Sequence, residues 1–294
     1  MYNMEIILQQ IFYGLVIGSN YVLIASGFTL IWGVLGVMNI AHGEFFMLGA
    51  YAAYFGLDYL GWGFFPATIL AMALTFWIGV FFEKTTIQPL KSRKRMDYDM
   101  GTLIMTIGIS IFLQNLALIV FGPRYKGVPT YFAGMIRLGA IIISYDRMAI
   151  FLVALLLISI LIFLFKYTRI GLAIRAVSEN PDGAALAGIP IGRILCFAFA
   201  LSTSFAGAAG ALLIPIYNLY PTVGGNVILL AFSIVIFGGL GSIKGAICAG
   251  FLVGILESLA VLFISSAWKD VIVFIIVILV LTLRPRGLMG IKEA

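Results

Sequence analysis

Long apolar runs separated by short polar breaks make up almost the whole chain. A helix of about 20 apolar residues, rising about 1.5 Å per residue, spans a hydrocarbon core roughly 30 Å thick. The ten-residue alternation typical of a membrane β-barrel is not seen. The pattern therefore predicts an all-α polytopic membrane protein with about eight or nine transmembrane helices. The predicted spans are 8–30, 40–57, 64–82, 102–121, 148–166, 193–217, 227–240, 245–265 and 270–283.

One of these runs, 227–240, is too short to cross a membrane comfortably and predicts a half-helix or part of a broken helix. A weak internal repeat also points to interrupted helices. The sequence LIWGVLG at 30–36 resembles VIFGGLG at 235–241, and an apolar span follows each copy. Many transporters are built from repeats, with binding sites at glycine-interrupted helices. We expect a single transmembrane domain over 1–294 with such broken helices.

Charge is scarce and unevenly placed. Only 10% of the residues are charged, against about 25% in a typical soluble domain. The net charge of +6 indicates membrane orientation rather than nucleic-acid binding, because the basic residues cluster in a few short loops. The clustered residues are Lys84, Lys91, Arg93, Lys94, Arg95, Lys166, Arg169, Arg175, Arg193, Arg284, Arg286 and Lys292.

The positive-inside rule places these clusters on the cytoplasmic side. The loop 167–192 and the C-terminus are then cytoplasmic, the segment 122–147 is extracytoplasmic, and parity places the N-terminus outside. Within the outer segment, 130–145 mixes glycines with β-branched residues and predicts a short hairpin-like cap, either a packed loop or a docking point for a partner. Four basic residues in that segment count against the orientation: Arg124, Lys126, Arg137 and Arg147.

The loop 167–192 carries the start and stop signals of a short helix near 181–187. Asn180 is suited to the N-cap, and Pro181 fits the first helical position, where no N–H is required. Asp182 complements the positive end of the helix dipole. Gly188 suits a left-handed C-terminal residue, and Pro190 prevents continuation.

A second short helix is predicted at 170–179, where Arg175 and Glu179 lie four residues apart on one face. Two interpretations of the loop stay open: an ordinary capped turn, or a docking surface on which small residues let another protein approach closely. The docking interpretation rests on six residues: Arg175, Glu179, Asn180, Ala184, Ala185 and Gly188.

Polar residues interrupt the second apolar run at Asn39, His42 and Glu44. A charged side chain at the bilayer centre costs about 2.5–3.5 kcal/mol on insertion scales and should face protein or water. The segment is either a gate beside a translocation pathway or a helix start at the cytoplasmic interface, with Asn39 as N-cap. Glu257 lies inside a later span and serves either a gate or a bond to a neighbouring helix. His42 is the only histidine, so no multi-histidine metal site is expected.

No nucleotide-binding or catalytic motif is found. The glycines of 238–245 fit neither the phosphate-loop spacing nor the dinucleotide spacing, and no zinc-protease or serine-hydrolase signature occurs. We therefore expect a chain that is not an enzyme and binds no cofactor itself. Any ATP and magnesium would sit on a separate ATPase.

Three segments resemble permeases of bacterial ABC importers of the branched-chain amino acid (LivH-like) group. They are the loop residues 171–193, the run NIAHGEFFMLGAY at 39–51, and GGLGSIKGA at 238–246. Length, order and spacing agree along essentially the whole chain. In that family the cytoplasmic loop forms the coupling helix, which sits in a cleft of the ATP-binding subunit.

The resemblance implies a subunit of a larger importer in a bacterial or archaeal plasma membrane. Its expected partners are a second, LivM-like permease, two ATP-binding subunits, an extracytoplasmic binding protein and membrane lipid, with no nucleic acid. The implied cargo is a branched-chain amino acid. Two alternatives remain: a urea or short-amide importer of the same family, whose permeases carry a similar NxAHGE run, and an ATP-independent secondary transporter.

Overall fold

A computed structural model describes residues 4–36, 38–92, 95–128, 131–139, 141–284 and 287–289. Four residues used to predict orientation, Arg93, Lys94, Arg286 and Lys292, lie outside these ranges. The described chain is almost entirely helical. Its helices are α1 (Met4–Leu35), α2 (His42–Asp58), α3 (Phe64–Phe82), α4 (Arg95–Phe121), α5 (Tyr145–Tyr167), α6 (Arg169–Glu179), α7 (Pro181–Leu186), α8 (Ile191–Leu213), α9 (Val223–Gly238), α10 (Ile243–Phe263) and α11 (Lys269–Leu283).

Short irregular turns extend two of these helices. A π-helical turn, Glu83–Ile87, and a 3-10 turn, Gln88–Ser92, continue α3, and a 3-10 turn, Ser266–Trp268, precedes α11. Two strands, β1 (Met135–Leu138) and β2 (Ile141–Ser144), form an antiparallel hairpin, so the predicted hairpin-like cap is confirmed.

Each of the nine predicted spans contains one helix, so the all-α polytopic prediction is confirmed. Within the described ranges, six helical stretches are long and apolar enough to cross a membrane. The predicted short span corresponds to α9, which has 16 residues. Helices α2 and α11, with 17 and 15 residues, are also shorter than a typical spanning helix.

The bundle is held together by close contacts between small residues. Helix α1 packs antiparallel along α10, where Gly254 lies against Gly14 and Gly18, and a Cβ there would collide with the α1 backbone. Helix α8 packs between α1, α2 and α3 and is buried along most of its length. Gly207 of α8 lies directly against Gly49 of α2. Inside a membrane the hydrophobic effect does not drive helices together, so their association depends on close packing. Small residues allow that packing, because they let helix backbones approach closely.

The two ends of the bundle differ in structure. One end carries the β hairpin together with the segments 122–128 and 214–222, which pair through a bridge between Lys126 and Leu219. We call this the hairpin end. The other carries α6 and α7, between α5 and α8, and we call it the two-helix end. The segment 122–147 and the loop 167–192 therefore lie at opposite ends, as the alternation of spans predicts.

The two copies of the internal repeat occupy matching places. Copy 30–36 ends α1 and leads into α2, whereas copy 235–241 ends α9 and leads into α10. The copies touch, because a Cβ on Gly33 would lie 3.8 Å from the Cα of Gly241. In the repeat, α1 corresponds to α9 and α2 corresponds to α10. Helix α1 packs on α10 and α2 packs on α9, so each half contacts the other in the same way, as expected of two related halves.

Candidate functional site

Three polar side chains of the segment 39–44 lie in the middle of the bundle; we call Asn39, His42 and Glu44 the polar centre. All three are buried. The depth of the polar centre in the bundle can be judged from α8. Ser202, at the midpoint of α8, donates a 2.6 Å hydrogen bond to the carbonyl of Gly27 in α1. A Cβ on Gly27 would lie 3.2 Å from the His42 ring. Helix α2 therefore begins deep inside the bundle and not at its end.

Glu44 is held by two residues of α4. Its Oε1 accepts hydrogen bonds from Gln114 Nε2 at 2.7 Å and from Ser110 Oγ at 3.1 Å. Its other carboxylate oxygen, Oε2, lies against Gly224 and has no hydrogen-bond partner among the described residues. Glu44 is thus in the first turn of α2 and also beside the first turn of α9. The partial positive charge of a helix N-terminus favours an anion at both places.

His42 and Asn39 complete the polar centre. His42 Nε2 lies 3.1 Å from the carbonyl of Ile24, and since a carbonyl only accepts, this nitrogen carries the proton. Its Nδ1 has no partner in the described chain. The prediction that Asn39 caps α2 is wrong: Ala41 holds the N-cap position with helical dihedrals. The turn before α2 uses the Asn39 carbonyl instead, which accepts from His42 N at 3.2 Å.

The side-chain amide of Asn39 makes no hydrogen bond with any described residue, although it is only 2% exposed. The segment is surrounded by α1, α4, α8 and α9, which favours the alternative of a gate over that of a helix start at the cytoplasmic interface. Buried polar groups without partners are costly and are concentrated at functional sites. The polar centre therefore remains a candidate site on physical grounds.

A cavity of about 470 Å³ lies between the polar centre and the hairpin end. Its walls come from α1, α2, α8, α9 and α11, together with Tyr125 and the segment 214–220. Near its mouth, the Tyr125 and Tyr220 rings lie 5.2 Å apart, and Asn226 Nδ2 donates to the Tyr220 hydroxyl at 3.0 Å. None of the described residues that line it carries a charge.

One carboxylate stands directly behind this cavity. Tyr21 lines the wall and donates a short hydrogen bond to Glu257 Oε2 on α10. Tyr217, a second lining residue, interacts with the Tyr21 hydroxyl. Glu257 is only 2% exposed. It therefore bonds to a neighbouring helix, one of the two alternatives left open above, and it does so at the edge of a pocket.

At the two-helix end, α7 has the predicted start and stop. Asn180 Oδ1 accepts from Gly183 N at 2.9 Å, and Pro181 holds the first helical position. Gly188 has φ of +79°, the left-handed conformation expected at the end of the helix. Ala184 is buried against Val177 and Leu195. The prediction of a capped helix near 181–187 is confirmed to within one residue.

The exposed face of this segment is small and apolar. Leu186 is 92% exposed, and Ala185 and Gly188 beside it are also exposed. Arg175 and Glu179 are exposed on α6, but the Arg175 guanidinium donates to the carbonyl of Phe165 at the end of α5. Arg175 therefore holds α6 against α5 of the same chain. The surface that is free to contact another protein belongs to α7.

Comparison with known proteins shows the family to which the chain belongs. The family model "Branched-chain amino acid transport system / permease component" matches residues 10–281. The chain belongs to this family. It is 35% identical to the permease protein LivH of the high-affinity branched-chain amino acid transport system of Escherichia coli, over 97% of this chain and 96% of that protein.

Two further permeases of the family show the same extent of similarity. BraD of Pseudomonas aeruginosa is 34% identical over 97% of this chain and 96% of that protein. A probable LivH of Methanocaldococcus jannaschii is 31% identical over 96% of this chain and 93% of that protein. The chain is thus a multi-pass membrane permease component, and membership of this family implies a transport system with partner subunits.

Sequence inspection missed Ser110 and Tyr21 among the residues of the permease's polar sites. Ser110 and Gln114 hold Glu44, and Tyr21 holds Glu257, yet the partners lie 66, 70 and 236 residues apart in the chain. Gln114 carries a weak signal, since it is a polar residue inside an apolar run. Tyr21 carries none, because tyrosine is common in membrane helices.

Proposed function

We propose that the chain is the membrane-spanning permease subunit of an ATP-binding-cassette importer and that its cargo is a branched-chain amino acid. The observation that carries this proposal is the match to LivH permeases along nearly the whole of both chains. The alternatives, a urea or short-amide importer and an ATP-independent transporter, have no comparable support.

The proposed assembly pairs this chain with a LivM-like permease, two ATP-binding subunits and an extracytoplasmic binding protein. ATP and magnesium would bind the ATPase subunits, and this chain would neither hydrolyse nucleotide nor carry a cofactor. The two-helix end and the C-terminus would then face the cytoplasm, and the hairpin end would face the binding protein. The concentration of Lys and Arg in the loops assigned to the cytoplasm supports this orientation.

The exposed face of α7 is the proposed contact with the ATPase. Leu186, Ala185 and Gly188 offer an apolar surface with little side-chain bulk, which suits a groove in another protein. Asn180 ends α6 and begins α7, since its N–H donates to Ala176 O at 3.0 Å while its side chain caps α7. The two helices would therefore move as one unit when the ATPase pushes on α7.

A continuous series of contacts leads from α7 to the polar centre. Ala184 packs on Leu195 of α8, and Ser202 of α8 bonds to Gly27 of α1. His42, at the start of α2, bonds to Ile24 of α1. Movement of α8 relative to α1 would thereby shift the starts of α2 and α9. Such a shift gives the two access states differential contacts, which is what an ATP-driven change in their populations requires.

Reconstituted vesicles containing all the proposed partners test the function. We expect uptake of radiolabelled leucine that requires both ATP and the binding protein and is inhibited by isoleucine and valine. Uptake driven by an ion gradient without ATP would contradict the importer class. Uptake of urea or short amides in place of leucine would contradict the cargo.

A further inference from the structure

The cavity near the hairpin end has the size and walls of a binding pocket. Its volume of about 470 Å³ falls within the roughly 300–1,000 Å³ typical of small-molecule sites. Such sites are mostly apolar with a few convergent polar groups, and this one fits that description. The apolar part of the lining includes Ile24, Phe46, Leu213, Val227 and Leu230.

One wall of the cavity differs from the rest. Tyr21 and Tyr217 both line the cavity, and the Tyr21 hydroxyl contacts both Tyr217 and Glu257, which is not itself a lining residue. An ionised carboxylate only accepts hydrogen bonds, so the Tyr21 proton points toward Glu257. The Tyr21 oxygen then has lone pairs with which to accept, and a ligand in the cavity would share them with Tyr217.

This wall suits an ammonium group. An ammonium carries three donors and no acceptor, which complements hydroxyl oxygens backed by a carboxylate. The lining also includes the ring of Phe274, and aromatic faces attract cations. No lysine or arginine is present among the described lining residues to compete for Glu257.

We propose that this cavity is a cargo subsite of the permease, in which the Tyr21–Glu257 pair receives the α-ammonium group of the amino acid. The aliphatic side chain of the cargo packs against the apolar wall formed by Phe46, Leu213 and Val227. The cargo carboxylate points toward the mouth, where Asn218 and Tyr220 supply amide and hydroxyl donors. This proposal rests on the proposed function and adds a selection step after delivery by the binding protein.

Glu44 is a weaker candidate for the same role. It is not among the residues that line the cavity, and its Oε1 already accepts from Ser110 and Gln114. Its other oxygen lies against Gly224 at the start of α9. The polar centre therefore belongs beneath the subsite and not within it.

Ligand binding to the purified transporter complex without its binding protein tests the subsite. Thermal stabilisation would be measured with leucine, with 3-methylbutylamine, which lacks the carboxylate, and with 4-methylpentanoate, which lacks the ammonium. We expect leucine and the amine to stabilise the complex and the acid to have no effect. The variants Glu257→Gln and Tyr21→Phe should raise the half-saturating leucine concentration about tenfold or more.

The matched control is Glu83→Gln, another buried glutamate, located at the end of α3 outside the cavity. It should leave leucine binding unchanged. Tyr21→Phe removes one hydroxyl only, so it keeps the test decisive if Glu257→Gln lowers the yield of folded complex. Equal stabilisation by the acid and the amine, or wild-type binding by both variants, would overturn the subsite.

The same complex in vesicles separates this inference from the proposed function. If the wild type imports leucine and both cavity variants bind it normally, the subsite is wrong and the function stands. If the wild type imports no branched-chain amino acid, the function is wrong, and the comparison of amine with acid still decides whether the cavity selects an ammonium.

Discussion

The two-helix segment (α6 and α7) and the polar centre are both polar breaks in an apolar chain, but they are stabilised in different ways. In the segment, each helix end is satisfied by its own neighbours, as when Asn180 caps Gly183 three residues later. In the polar centre, Glu44 depends on Ser110 and Gln114, at least 66 residues away. The first can form locally, whereas the second exists only when four helices have packed.

This difference has a functional consequence. A locally stabilised helix with an exposed face keeps its shape when a partner presses on it, which suits a mechanical contact. A buried cluster with unsatisfied polar atoms is sensitive to substitution, because each further polar group left unpaired in a low-dielectric interior is costly. Mutations should therefore damage folding at the polar centre and damage coupling at the two-helix segment.

The largest effect is expected for Gly43→Leu. A side chain at position 43 collides with the backbone of Gly224, where the starts of α2 and α9 meet. Overpacking a tight site costs about 1–3 kcal/mol or more, a large part of a typical stability. We expect loss of monodisperse protein in size-exclusion chromatography. Gly108→Leu is the control, since that exposed glycine has open space around its Cβ position; equal behaviour of the two variants would contradict the close contact.

The next largest effect is expected for Glu44→Ala. The change leaves the donors of Ser110 and Gln114 without their acceptor and should cost about 1.5–3 kcal/mol, because hydrogen bonds to a charged group are stronger than average. A lower midpoint of thermal unfolding would report it. Glu44→Gln keeps a side-chain oxygen for Gln114 and should recover part of the stability. If Glu44→Gln is stable but transports nothing, the charge itself serves transport.

A charge on the exposed face of α7 should uncouple transport without unfolding the chain. Ala185→Asp places a carboxylate on the proposed contact with the ATPase, and Ala185 is exposed, so folding should be unaffected. We expect uptake to fall about tenfold or more while ATP hydrolysis continues, since one misplaced interface charge costs more than the 1.4 kcal/mol of a tenfold change. Ala185→Ser, a small uncharged change at the same exposed position, is the matched control and should leave uptake close to that of the wild type. Unchanged uptake and co-purification with the ATPase would exclude the docking role.

The smallest effect is expected for Asn180→Ala. Removing the cap bond to Gly183 costs about 1 kcal/mol of local helix stability. We expect a modest loss of uptake and faster amide exchange confined to 181–186. Asn180→Asp retains a capping oxygen and should behave like the wild type. Exchange that spreads into α8 would show that the segment is less independent than its local bonds suggest.

Much of the fold was predictable from local patterns. Apolar runs predicted the nine helices of the bundle, and glycines with β-branched residues predicted the hairpin. The caps at Asn180 and Gly188 predicted α7 almost to its ends. These predictions succeed because hydropathy, capping and left-handed turns are governed by residues within a few positions of one another.

The predictions that failed concern where elements sit in the bundle. One of the two alternatives for Asn39 was an N-cap of α2 at the cytoplasmic interface, but α2 begins in the middle of the bundle with Ala41 at its N-cap. Gly250 and Gly254 of α10 pack against α1 of the same chain, a contact that the apolar pattern does not specify. The hydropathy pattern does not predict how deep in the bundle a broken helix begins. It also does not predict which helix packs beside another.

By itself, the sequence determined the class of protein, the order of its helices and the capped two-helix segment, since each depends on short-range chemistry. Only the tertiary structure decided that the starts of α2 and α9 converge on Glu44, and that Tyr21 and Glu257 meet at a cavity wall. The physical reason is the distance along the chain over which each kind of interaction acts. Helix formation and capping act over one or two turns, whereas a buried carboxylate is positioned by whichever distant helices pack around it.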